Sequence, residues 1–183
     1  VSGWHALAVP GGVGLSTVVT AKGARGGKLS FQKLDGEARA ASSPVSIVDK
    51  PVVSGDVDVV RAPGRLVFAW TDRTTDDPSV SAAALRDDGK VEPLHKVIEG
   101  RGGTALLGLA SGPAGTAVMW EIPARGANAA RRLYLARISS SLGLEGRPSS
   151  IELTGRAVPE IVATSSGFAI LAPLQNCAAG TPT

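Results

Sequence analysis

Three aspartates, Asp72, Asp76 and Asp77, crowd one short stretch that runs into Pro78. Carboxylates gathered on a loop can hold calcium, or accept hydrogen bonds from the hydroxyls and amines of a ligand. Their spacing lacks the Asp-x-Asp-x-Asp-Gly order that surrounds one ion, and Arg73 stands between them, so local ion pairing on a solvated loop is the competing expectation. A second group combines Arg131, Arg132 and Tyr134, with Arg125 and Arg137 nearby. It offers a groove for an anionic sugar or a protein partner, or else solvated strand ends whose charges discourage edge association. These six residues, Asp72, Asp76, Asp77, Arg131, Arg132 and Tyr134, are the candidate ligand-binding residues. No metal site and no cofactor are expected.

Other chemistries find no pattern. His5 and His95 are the only histidines, and neither HxH nor HExxH occurs. Gly14-Leu15-Ser16 lacks the second glycine of a nucleophile elbow, having Val18 in its place. Gly23-Ala24-Arg25-Gly26-Gly27-Lys28 has Lys22 where a phosphate-binding loop begins with glycine, and Leu29 where it needs a hydroxyl. No catalytic residue is assigned. Cys177 is the single cysteine, so no disulfide forms within the chain.

The elements that must position these residues follow from composition and period. Of 183 residues, 43% are hydrophobic and 19% charged, which fits a folded globular chain. Twenty-three glycines and twelve prolines favour short strands and tight turns over long helices. A net charge of +3, scattered along the chain, gives no concentrated basic face for nucleic acid. No apolar run reaches the roughly 18 residues of a membrane span. Val1 in place of an initiator methionine reads as processing or excision from a longer precursor, and an extracytoplasmic location is expected.

A repeat organises the whole chain. Gly12, Gly64, Gly115 and Gly167 each precede an apolar run, at spacings of 52, 51 and 52. The next run ends at Leu34, Leu85 and Ile138, and a fourth centres on Ile47, Ile98 and Ile151, both at spacings of 51 and 53. One period held by three landmarks predicts units of four short strands. The units span 4–49, 50–100 and 101–155, with a half unit at 156–175 and a tail at 176–183. In the second unit the strands are expected at Val57–Arg61, Arg65–Thr71, Ser79–Arg86 and Leu94–Glu99. Asp35-Gly36 and Asp88-Gly89 predict two-residue turns between strands three and four, and Ser141-Leu142-Gly143 a longer one. Ala127–Leu144 carries Leu135, Ile138 and Leu142 at helical spacing, but the repeat makes Leu133–Ile138 a strand.

Runs such as LVFAW and VSAAAL are apolar on both alternating faces, as in sheets buried between neighbours. The expected fold is therefore all-β: β-propeller blades of four antiparallel strands, about 3.5 of them with a 51–53 residue period, forming a partial ring. The stretch AWTDRTTDDPSVSAAALRDDGKV resembles the repeats of secreted bacterial β-propellers, in the broad group that includes sialidase-like proteins. The resemblance covers most of residues 4–171 and rests on generic motifs. The Asp box Ser-x-Asp-x-Gly-x-x-Trp is missing, so no catalytic residue carries over. What the resemblance implies is a non-enzymatic binding or scaffold module presenting loops to a protein or glycan; the alternative is a glycan-processing hydrolase or lyase with its site at the propeller axis. A partial ring also implies a partner: another chain or fragment completing the propeller, or a homodimer.

Overall fold

The computed structural model describes residues 3–53, 57–100, 103–122, 131–153 and 158–172. Arg125, Cys177 and the tail at 176–183 lie outside them, as does the start of the segment with helical spacing. The described residues are all-β. Each of three sheets is a four-stranded antiparallel meander. The first contains β1 (Gly3–Val9), β2 (Gly12–Thr20), β3 (Gly27–Leu34) and β4 (Val45–Val53). The second contains β5 (Val57–Ala62), β6 (Arg65–Asp72), β7 (Ser79–Arg86) and β8 (Val91–Ile98). The third contains β9 (Ala105–Gly112), β10 (Gly115–Ile122), β11 (Arg131–Ile138) and β12 (Leu144–Leu153), and β13 (Glu160–Ala163) pairs with β14 (Phe168–Leu171) in a two-stranded sheet. Arg131–Ile138 is thus a strand, the outcome the repeat predicts over the helical spacing.

The sheets stack face to face, and each interface is an apolar layer. Val18, Leu29, Phe31 and Val53 of the first sheet meet Val59, Leu66, Phe68 and Trp70 of the second. Val67, Ala69, Val80, Ala82 and Ala84, on the second sheet's other face, meet Leu106, Leu109, Val118 and Trp120 of the third. Ala117 and Met119 then meet Ile161, Phe168 and Ile170. Burial on both faces is why β6 and β7 read as apolar on both alternating faces, with Ser79 and Ser81 buried among them. Trp70 and Trp120 occupy the same place, each the sixth residue of a second strand and each facing the preceding sheet.

Two details depart from the sequence reading. β8 runs Val91–Ile98, beginning three residues before Leu94. Its early residues mix exposed Val91, Pro93 and Leu94 with half-buried Glu92, so they follow no apolar alternation. The turns joining third to fourth strands are also neither two-residue turns nor of unequal length. Asp35 N–H donates to Arg39 O, Arg86 N–H to Lys90 O, and Ser139 N–H to Gly143 O, at 2.8–2.9 Å. Inside each, the N–H of Ala38, Gly89 or Leu142 returns to the first residue's carbonyl. Those three residues have φ of 60°, 83° and 66°. This is a three-residue loop with a left-handed residue closing a bulge, and it recurs identically in all three sheets.

Candidate functional site

Asp72, Asp76, Asp77, Arg131 and Arg132 lie at one end of the stack, in or beside the connections between second and third strands, whereas Tyr134 sits in the middle of β11. Asp72 closes β6, and its carboxylate accepts the Thr74 N–H at 2.9 Å and the Thr74 hydroxyl at 2.6 Å. It is therefore engaged in shaping its own loop. Asp76 is fully exposed and reaches Arg25 of the first sheet's loop at 3.7 Å. The Asp77 carbonyl accepts the Thr75 hydroxyl at 3.0 Å. Among the described residues, no group of three His, Cys, Asp or Glu side chains is placed to hold a metal ion.

Strand alternation splits the basic group. Arg132 and Tyr134 share one face of β11, and Arg131 takes the other. Arg131 donates to Glu121 at 2.8 Å, and Arg132 to Glu152 at 2.6 Å. The Glu152 carboxylate, and after it Tyr134, raise Arg132 above the usual guanidinium range. The Tyr134 ring stacks on Trp120 with centroids 5.4 Å apart and planes 13° from parallel. Both guanidinium groups are thus matched by carboxylates of their own sheet, and the aromatic ring is committed to packing.

The opposite end, bearing the turns between first and second strands, carries two clefts between neighbouring sheets. The first, of about 390 Å³, lies between the first and second sheets. Val9, Pro10, Phe31, Leu66 and Leu85 make its apolar lining, and Lys33, Arg61, Arg86 and Asp87 its polar one. The floor depends on Gly14. A side chain there would come within 2.5 Å of the Phe31 ring, so only glycine lets that ring lie across β2. Phe31 then meets Phe68 edge to face at 5.8 Å. Arg61, Leu66 and Leu85 form one cross-strand row on the second sheet, facing it.

The second cleft, of about 470 Å³, lies between the second and third sheets. Its cations are engaged. Arg65 donates to Glu92 at 2.9 Å and to the carbonyls of Ser139 and Ser140, and Arg137 pairs with Glu145 at 3.5 Å. In the first cleft, Arg61 pairs with Asp87 at 2.8 Å and Arg86 approaches Asp88 at 3.6 Å. Lys33 is a half-buried residue whose ammonium has no ion pair or hydrogen bond with the described residues and lies beside the turn at Gly11.

A third polar feature joins the first strands. Asp58 on β5 accepts the Leu109 N–H of β9 at 2.6 Å and meets His5 Nε2 of β1 at 3.3 Å. One carboxylate thus ties three consecutive sheets. Sequence reasoning did not single out Lys33, the Phe31 floor or the His5–Asp58 pair. A signal for the first existed: Leu29, Phe31 and Lys33 alternate, which puts a lysine on the same inward face as two core residues. No family model matches this chain, and no curated protein or solved structure does either.

Proposed function

We propose that this chain is a non-enzymatic binding module built from propeller-type blades, of the secreted kind its repeat resembles, and that it presents the turn-bearing end of the stack to a protein or glycan. The observation that carries the reading is the pair of clefts at that end, both with charged rims and the first with an apolar floor. Pockets of a few hundred Å³ with a few placed polar groups are the usual form of a recognition site. The propeller reading draws support from the four-stranded meanders stacked in series and from the neighbouring first strands, which Asp58 links. The fold alone assigns no activity.

The test is binding of the whole chain to peptide and glycan arrays, repeated with Arg61→Glu and Arg86→Glu. The expected outcome is specific binding without turnover, weakened by reversal at the rim. Binding indifferent to those changes but lost with Asp76→Ala would move the site to the opposite end. Turnover of a bound glycan would favour the enzymatic alternative.

A further inference from the structure

We infer that the first cleft is a site for an amphipathic carboxylate: a ligand whose aryl or branched alkyl body fills the apolar floor and whose single carboxylate meets Lys33. The inference rests on the binding-module reading and specifies its ligand. Three cations, Lys33, Arg61 and Arg86, line the cleft against one carboxylate, Asp87, and Asp87 is already held by Arg61 at 2.8 Å. The uncommitted charge is therefore positive.

Its setting matters as much as its sign. The Lys33 stem runs on the same strand face as Phe31, and its ammonium lies near the turn that closes β1 to β2. Lys33 lines the cleft beside Phe31, Leu66 and Leu85, and a carboxylate seated against such apolar walls is less screened by water than one at an open surface. The floor is preformed. Phe31, Leu66 and Leu85 are each at least nine-tenths buried by their neighbours, and they leave one apolar side open to the cleft. A cavity of about 390 Å³ accommodates a single aromatic or branched side-chain-sized body. The second cleft has comparable size, but Arg65 and Arg137 are matched there by Glu92 and Glu145, and Arg86, which lines both clefts, approaches Asp88, which makes it a poorer anion site.

The same chemistry occurs in a free small acid and in the last residue of a peptide with a large apolar side chain. Heteronuclear NMR titration of the full chain distinguishes them. The probes are phenylpropionate, its neutral isostere phenylpropanamide, and an acetylated peptide ending in phenylalanine with a free or amidated terminus. Phenylpropionate is expected to shift Phe31, Lys33, Leu66 and Leu85 resonances saturably, and the amide to bind at least about tenfold more weakly, the scale of one charge-assisted hydrogen bond. Lys33→Met, which keeps the stem, should remove that preference; Lys33→Arg should retain it. Rising salt should weaken the acid and leave the amide unchanged. A free-terminus peptide that outbinds the small acid identifies a peptide ligand, and the reverse order a free acid. If the acid and amide bind the cleft equally, or if Lys33→Met changes nothing, the carboxylate inference fails while the binding face stands. If no probe perturbs the first cleft, the inference also fails, and rim-dependent array binding then decides the wider reading separately.

Discussion

Asp58 shows how much a single side chain contributes when it serves three sheets. Its carboxylate satisfies the Leu109 N–H at 2.6 Å and meets His5 at 3.3 Å, across elements far apart in sequence. Asp58→Ala strands that N–H between first strands and is expected to cost about 1–3 kcal/mol, whereas Asp58→Asn, which keeps an acceptor, should cost less. Urea unfolding of the two variants checks this, and equal midpoints for wild type and Asp58→Ala would reduce the bridge to a bystander. Asp35 acts on a smaller scale. Its carboxylate accepts the backbone N–H of Arg39 and that of Glu37, and both hold its pKa below the ordinary aspartate range. A depressed folded-state pKa means that the stabilisation is present above the unfolded pKa and is lost as pH falls through the folded one. The side chain is open to water, so the effect belongs to the turn. NMR titration should find Asp35 ionising below a reference aspartate, with the Glu37 and Arg39 amides losing protection from exchange over the same acidic interval; a midpoint at or above the reference refutes the assignment.

At the scale of the element, second strands hold the stack and third-to-fourth turns set its rhythm. Trp70 is fully buried against the first sheet, so Trp70→Ala should cost about 3–5 kcal/mol by opening a cavity between two sheets. Its Nε1–H is buried without a partner among the described residues, so Trp70→Phe should recover part of that loss in a thermal melt. The turns make a sharper comparison. Ala38, Gly89 and Leu142 hold the same left-handed place, but only Gly89 is a glycine. Leu142 offsets the strain by burying its side chain, while Ala38 is exposed. Ala38→Gly is therefore expected to stabilise the chain by about 1 kcal/mol, read as a raised melting temperature. These positions also show why the strands were legible in the sequence and the turn geometry was not. Apolar runs such as LVFAW report burial on both faces directly, and their period places each strand. Ala38 and Leu142 carry no conformational signature, so Asp-Gly marked the left-handed residue only at Gly89 and missed it in the first turn. The first cleft was hidden for another reason: Lys33 gains meaning only when the second sheet's Arg61, Leu66 and Leu85 close over it.

Across the whole molecule, the order of sheets decides which apolar surface remains open. Among the described residues, the second and third sheets are covered on both faces, but the first is covered on one only. On its other face Trp4, Ala6 and Ala8 line up with Thr17, Leu15 and Val13. Trp4 is 74% exposed and Val19 51%. Thr17 and Ser30, joined by a hydrogen bond at 3.2 Å, stand where the second sheet packs Trp70 and Ser81 and the third stacks Trp120 and Tyr134. The face is thus apolar at β1 and along part of β2 but hydroxyl-lined at its middle, a mixture that fits association with another sheet better than permanent contact with water. Association through this face is expected of the isolated chain, either with a second copy or with a separate blade-bearing polypeptide, either of which would extend the stack. Light scattering across a concentration series should show the apparent mass rising, and Trp4→Lys should suppress the rise without changing the melting temperature, because Trp4 contributes little to the folded core. Native mass analysis of material purified from its source separates the two partners, since a copy doubles the mass and a companion chain adds a different one. A monodisperse monomer at all concentrations, with no companion, would mean that the hydroxyl pair at Thr17 and Ser30 is enough to keep this face in water.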